Sequence, residues 1–456
     1  MIRHYKGKLG EFDYDDTEFE IGKRSGVEGI HILYIGKGSS VNLPKGCIDT
    51  SYMFYGKELP KGFTLGDDFN TSKVVNMEYM FSECELPGGF TLGDKFDTSS
   101  ATNMKRMFSE CITSECFSLG DKFDTSNVTN MCGMFELCVL PSKNFTLGDK
   151  FDTSNVTNMC GMFSTCSMPT VFTLGDKFDT SNVTDMSGMF VSCGISEGFL
   201  GDKFDTSNVV CMNTMFYYSV FSEGSTLGDK FDTSNVTDMR EMFSNCKFPE
   251  NFSLGDKFNT SSVKAMRWMF YNCIISEGFT LGDKFDTSNA TDMEGMFSYC
   301  TLPESFMLCS KFIKTNSHGL LFTGTKFPSW VVINKDTTEE DIIKQLKKSP
   351  SYTCTQNFIK LIKGGKSLSE AKREILNNSN FTTDTVGRAE RNLKNKLNKT
   401  CSSVIIGLFS IQDNKGEHSE YTVGEVRDTL LNKGVPKDVV MEAIVTYLEN
   451  QVVAWR

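Results

Sequence analysis

Apolar and polar positions recur in this chain in a fixed order. The stretch Phe145-Thr-Leu-Gly-Asp-Lys-Phe-Asp-Thr-Ser-Asn-Val-Thr-Asn-Met-Cys-Gly-Met-Phe163 repeats, lightly edited, from Phe63 to Phe297. Its Phe-Asp/Asn-Thr-Ser box begins at Phe69, Phe96, Phe123, Phe151, Phe178, Phe204, Phe231, Phe258 and Phe285. The steps are 27 residues, with one of 28 and one of 26. A period of this size predicts stacked coils that share their core with their neighbours. Within one coil the inward positions read Phe145, Leu147, Phe151, Val156, Met159, Met162, Phe163 and Cys166. Phe145 and Leu147 alternate with Thr146, which predicts a short strand. Gly148-Asp-Lys150 predicts a turn. Asp152-Thr-Ser-Asn155 predicts a corner whose side chains bond nearby backbone N–H groups. Val156 to Phe163 fits a short helical or 3₁₀ turn or a curved strand. Stacking then makes files: methionines from Met77 to Met293 and from Met80 to Met296, and phenylalanines from Phe81 to Phe297.

The flanks break the period. Residues 1–60 read as an N-terminal cap with one degenerate coil, and Gly29-Ile-His-Ile-Leu-Tyr-Ile-Gly36 reads as a strand. Nine coils occupy 61–300, and 301–330 read as a C-terminal cap, since an array must cover its end coils. From 331 the spacing becomes helical. Thr337-Thr-Glu-Glu340 and Ser367-Leu-Ser-Glu370 look like capping boxes. Phe358, Ile359 and Ile362 mark a helix stopped by Gly364-Gly365. Asp384 opens another, with Val386, Ala389, Leu393 and Leu397. Val404 to Phe409 stays unassigned. Thr422-Val-Gly-Glu425 opens one more, and Pro436 the last, with Val440, Ala443 and Ile444. Residues 331–456 are thus a mostly α-helical domain, either one body or two modules split near 401–420.

The net charge of −11 is unevenly spread. Residues 1–330 carry −14 and residues 331–456 carry +3. No run of 18 apolar residues predicts a membrane-spanning helix. The basic start has no apolar stretch behind it, so no secretory signal is expected. Sixteen cysteines, half of them at one repeat position, and a column of Asn-x-Ser/Thr sequons at Asn127, Asn155, Asn182 and Asn235 add to this. Glycans on coils about 5 Å apart would collide. Together these features point to a reducing location, cytoplasmic or inside a virus particle.

The boxes Asp152-Thr-Ser-Asn-Val-Thr-Asn-Met159 and Met162-Phe163-x-x-Cys166 resemble the repeat of the BspA-like leucine-rich-repeat surface proteins, a repeat also abundant in mycoplasma lipoproteins and in some large DNA viruses. The resemblance covers about residues 48–300. It implies a right-handed solenoid with a parallel sheet, a role in adhesion or protein binding, and no known catalysis. The Gly-Asp-Lys-Phe step departs from the usual wording of the family, as does the missing signal or lipobox cysteine. Residues 421–455 are loosely similar to a winged-helix unit.

Candidate chemistry is sparse. The cysteine file Cys84, Cys111, Cys138, Cys166, Cys193, Cys246, Cys273 and Cys300 lacks zinc-type Cys-x-x-Cys spacing. Side chains stacked in parallel bridge poorly, so buried thiols are expected, with Ser219 as a small substitute. Cys132, Cys160 and Cys211 stand outside that file and are candidates for reactivity. The Asp149 and Asp152 columns are open to calcium, or to turns and ion pairs with Lys150, Lys177, Lys203 and Lys230. His4, His31, His318 and His418 are too dispersed for a catalytic centre, and no cofactor motif is present. The partner signal is the basic stretch 344–399. It includes Lys347, Lys348, Lys363, Lys366, Lys372, Arg373, Arg391, Lys394 and Lys396, with 13 basic against 4 acidic residues. A solvated face, a protein dock and a nucleic-acid contact are all open for it. The expectation is a β-rich, leucine-rich-repeat-like solenoid with a parallel sheet and a helical tail. It would serve as a non-enzymatic scaffold for other proteins in an assembly such as a virion. A nucleic-acid-binding protein and a surface adhesin are the alternatives.

Overall fold

Turns, not regular elements, carry most of the backbone. The computed structural model describes residues 1–113, 117–141, 145–169, 172–175, 177–314, 320–348, 357–362, 366–378, 386–387, 389–390, 393, 430–431, 435 and 439–440. They fall in two compact units. One is Met1–Pro303 with Cys309–Phe327, and the other is Glu304–Leu308 with Pro328–Arg456. The stretch expected as a C-terminal cap is therefore divided between them.

The first unit opens with two antiparallel pairs. β1 (Ile2–Gly7) pairs with β2 (Gly10–Asp15), and β3 (Phe19–Gly22) with β4 (His31–Tyr34). Tyr34 lies 5.4 Å from Phe54 and 5.8 Å from Phe63, ring to ring, and so covers the first coil. β5 (Ser40–Val41) and β6 (Thr64–Leu65) then pair in parallel.

From Asp49 onward, coil meets coil through parallel bridges. One file links Asp49, Asn76, Asn103, Asn130, Asn158, Asp185, Cys211, Asp238, Ala265 and Asp292. A second links Glu58 to Ser167 and, further on, Val220 to Lys326. Within it β7 (Gly194–Ile195) and β8 (Val220–Phe221) form a two-residue ladder. The pairing is thus one or two residues wide. The expected strand at Phe145-Thr-Leu147 has the right alternation, buried–exposed–buried, but forms no ladder there. Gly148 turns the chain with φ +85° directly after it, yet in later coils the equivalent Ser253 and Thr280 do bridge in parallel.

The interior is built by stacking. Both methionine files are fully buried, as is the phenylalanine file from Phe54 to Phe297. The rings lie nearly parallel: Phe81–Phe108 at 5.6 Å and 2°, Phe163–Phe190 at 6.1 Å and 2°, Phe270–Phe297 at 5.3 Å and 2°. These spacings fall in the favourable range for offset aromatic pairs.

Polar side chains sew the same coils together. Thr153 is fully buried and donates to the Asp179 carbonyl of the next coil at 2.7 Å. Asn155 donates to the Ser126 carbonyl of the preceding coil at 2.7 Å. The same bonds recur from Asn127, Asn182, Asn208, Asn235 and Asn289, so this amide has a structural use at each sequon-like site.

In the second unit, α1 (Glu339–Leu346) starts one residue later than the sequence suggests. Thr338 is the N-cap and Asp341 its reciprocal partner, in place of Thr337 and Glu340. α2 (Leu368–Asn378) begins at the expected box: Ser367 Oγ accepts the Glu370 N–H, and the Glu370 carboxylate accepts the Ser367 N–H. Residues 357–362 are helical. Phe358, Leu368, Ala371, Ile375, Val386, Ala389 and Leu393 pack in one cluster with Leu430, Val435, Val439 and Val440. The described residues on both sides of 401–420 therefore share a core. The readings at Gly364-Gly365, Asp384, Leu397, Val404–Phe409, 422–425, Pro436, Ala443 and Ile444 lie outside the described residues.

Candidate interaction surface

Besides the turn glycine at the Gly148 position, each coil places two residues in the left-handed region, at the positions of Gly161 and Thr165. Glycine holds the first at Gly133, Gly161, Gly188 and Gly295. Elsewhere it is held by Tyr52, Tyr79, Arg106, Thr214, Glu241 and Trp268, with φ between 52° and 62°. The second is held by Glu83, Glu110, Leu137, Thr165, Ser192, Tyr218, Asn245, Asn272 and Tyr299. An L-residue is strained there by roughly 1–2 kcal/mol. This position was not legible from the sequence, because its residue type varies from coil to coil. The recurring glycine was the available signal.

The varied residues gather into two aromatic and basic clusters. In the first, Tyr52 stacks on Tyr79 at 4.7 Å and the Arg24 guanidinium lies 3.6 Å from the Tyr55 ring centre. Tyr55 also donates to Glu83, and Lys105 pairs with Glu78 at 3.1 Å. In the second, Arg267 lies 4.2 Å over Trp268 and pairs with Glu294 at 2.8 Å. Tyr271 meets Tyr299 edge-on at 5.4 Å. The glycines of following coils make room: a Cβ on Gly295 would sit 2.4 Å from Trp268, and one on Gly133 would sit 2.8 Å from Arg106.

The cysteine file is buried and its members are thiols. Cys246, Cys273 and Cys300 donate to the carbonyls of Phe216, Phe243 and Phe270 at 2.7–2.9 Å. Ser219 makes the same bond to Phe190, which explains why serine substitutes there. Burial pushes the thiols of Cys84 and Cys193 up to about 12. Of the outer cysteines, Cys211 is also pushed up by burial, whereas Cys132 and Cys160 are half-buried on adjacent coils.

The corner carboxylates serve their own turns. Asp97, Asp152 and Asp179 accept the N–H of the serine two residues on at 2.9 Å, and Asn70 and Asn259 do the same at 3.0 Å. Lys311 pairs with Asp286 at 3.7 Å. Among the described residues no group of three or more His, Cys, Asp or Glu could hold a metal ion. His31 is buried against Ser51 and the Glu28 carbonyl, and His4 lies on β1 beside Asp13. His318 and His418 lie outside the described residues.

Among the described residues, two basic side chains of the second unit are ion-paired. Lys366 pairs with Glu374, and Lys372 with Glu390 at 2.5 Å. Arg373 is exposed and Lys347 half-buried just past α1. Lys348 lines an open groove of about 730 Å³ with Lys344, Gln345 and Trp330, whose indole N–H donates to the Glu304 carbonyl. Lys363, Arg391, Lys394 and Lys396 lie outside the described residues.

A family described as "Mycoplasma protein of unknown function, DUF285" matches residues 48–166, 113–226 and 195–307, more than half of the chain. The chain belongs to this family. Its three overlapping matches cover the nine coils, so the DUF285 part of the chain is essentially the stacked part, and the stretch Pro328–Arg456 of the second unit lies beyond it. No curated protein and no solved structure matches the chain. No helix among the described residues is long and apolar enough to cross a membrane.

Proposed function

We propose that this chain is a non-enzymatic interaction scaffold. In this reading it is a β-rich, leucine-rich-repeat-like solenoid of the BspA-like kind, followed by a mostly helical domain. What supports this most is the contrast within each coil. The inward residues are nearly constant, while coil-specific Tyr, Arg and Trp side chains stand on strained backbone where glycine would serve more cheaply. Local strain of this kind accumulates where side chains are needed for contact, and Tyr, Trp and Arg are the usual anchors of protein interfaces. Its place would be within a large assembly in a reducing compartment.

The test is differential capture from the source cell or particle. The full chain and a variant with Arg267, Trp268, Tyr271 and Tyr299 replaced by Ser would be used as parallel baits. Loss of a retained partner at unchanged melting temperature supports the reading. The same proteins on both baits would remove this face from the proposal.

A further inference from the structure

Cys132 and Cys160 occupy equivalent places on adjacent coils. The bridge between Asn130 and Asn158 fixes their register, and each backbone N–H is held by the preceding asparagine at 3.0–3.1 Å. The Gly133 N–H donates to the Cys160 carbonyl at 2.7 Å, so the two coils are locked together at this pair. The two thiols lie close enough to act on each other's titration. Both are half-buried, unlike the file from Cys84 to Cys300, whose members are at most 7% exposed.

We propose that Cys132 and Cys160 form a reversible disulfide on the outer face of the coils, made and broken by exchange with a low-molecular-weight disulfide. Neighbouring coils place the two Cα atoms about 5 Å apart, inside the range a disulfide spans. The sulfurs must then close to bonding distance. The buried file is less free to do this, although Cys273 and Cys300 also neighbour each other, because it is packed on all sides and several of its thiols are tethered to phenylalanine carbonyls. The outer pair is freer: each cysteine is followed by a glycine, Gly133 and Gly161, and a Cβ on Gly161 would meet only Ser164 at 3.9 Å.

The order of events follows from this proximity. The neighbouring Cys132 thiol pulls the Cys160 thiol down to about 7, and Cys160 in turn pushes Cys132 up. Lys105 and Arg106 on the preceding coil add positive charge beside Cys132, while Asp185 and Glu136 set negative charge beside Cys160. The Cys160 thiolate attacks one sulfur of the small disulfide. That S–S bond breaks and one small thiolate leaves, taking up the proton Cys160 had lost. Cys132 then gives its proton to solvent and attacks Cys160 Sγ, and the second small thiolate leaves and is protonated. Two protein thiols are oxidised by two electrons and one small disulfide is reduced to two thiols.

The test uses the full chain in glutathione buffers of graded redox poise, with acid trapping and peptide mass mapping. The expected product is a Cys132–Cys160 cross-link that reduced glutathione reverses, with the buried file untouched. Cys160 should alkylate on the order of tenfold or more faster than any file thiol at neutral pH. Cys132→Ala should halt the reaction at a Cys160–glutathione mixed disulfide and move the Cys160 alkylation midpoint upward. Three results overturn the proposal: a wild-type chain that stops at the mixed disulfide, cross-links within the buried file, or Cys160 reacting as slowly as Cys166.

Discussion

The inside and the outer face of each coil are made from the same 27 residues and obey different rules. Inside, Phe135, Phe163 and Phe190 stack with one another, so each is constrained by copies of itself. On the outer face, Gly161 in one coil is Arg106, Glu241 or Trp268 in another, at nearly the same φ. A backbone conformation that tolerates every residue badly, except glycine, is nevertheless given a different residue in most coils. Packing therefore dictates sequence inside. Outside, the fold dictates only the backbone.

The largest effect is expected inside. Phe163→Ala removes a ring packed against Phe135 and Phe190 and should cost about 3–5 kcal/mol, read as a lower denaturation midpoint. A cost below about 1 kcal/mol would mean the stack is not the core. Next, Thr153→Val keeps the shape but leaves the Asp179 carbonyl without its donor. About 1–3 kcal/mol is expected, measured in the same way.

On the outer face the sign depends on whether glycine is put in or taken out. Glu241→Gly relieves its left-handed strain and should stabilise by about 1 kcal/mol or less. Gly161→Ala imposes that strain in open space and should destabilise by about 1 kcal/mol. If neither variant moves the melting temperature, the face is not strained and its variety needs no explanation from contact.

The smallest effect concerns acid. Hydrogen bonds from Ser99 hold the Asp97 carboxyl below its ordinary value of 3.8. A depressed folded value means that this contribution is full above about pH 4 and is lost as pH falls below it. Asp97→Asn should be nearly neutral at pH 7, because Asn70 and Asn259 make the same bond, and should flatten stability against pH in that acid window. A steeper acid dependence in the variant would refute the assignment.

Much of the interior was legible because burial repeats at a fixed spacing: every methionine and phenylalanine of the files could be named from the period alone. The width of the pairing was not legible. Alternation at Phe145 and Leu147 reports which side chains turn inward, not whether the backbone there finds a partner. The sequon column read as a constraint on glycans, but the Asn155 amide is spent on the Ser126 carbonyl, a bond between coils that sequence spacing cannot display. In the second unit, two adjacent threonines made the start of α1 ambiguous by one residue, and only the bond between Thr338 and Asp341 decides it. The partners of Lys366 and Lys372, Glu374 and Glu390, could not be read from a linear count of charges. The outer dithiol was visible as two cysteines off the main file, but their contact depends on the stacking register.

Thr153 reaches forward and Asn155 reaches back, each to a main-chain oxygen that every other coil also offers. A 27-residue segment excised between two equivalent points would therefore leave ends that still recognise each other. The gene for such a chain can gain or lose whole periods by recombination without redesigning any junction, whereas a shift of a few residues would misalign every donor downstream.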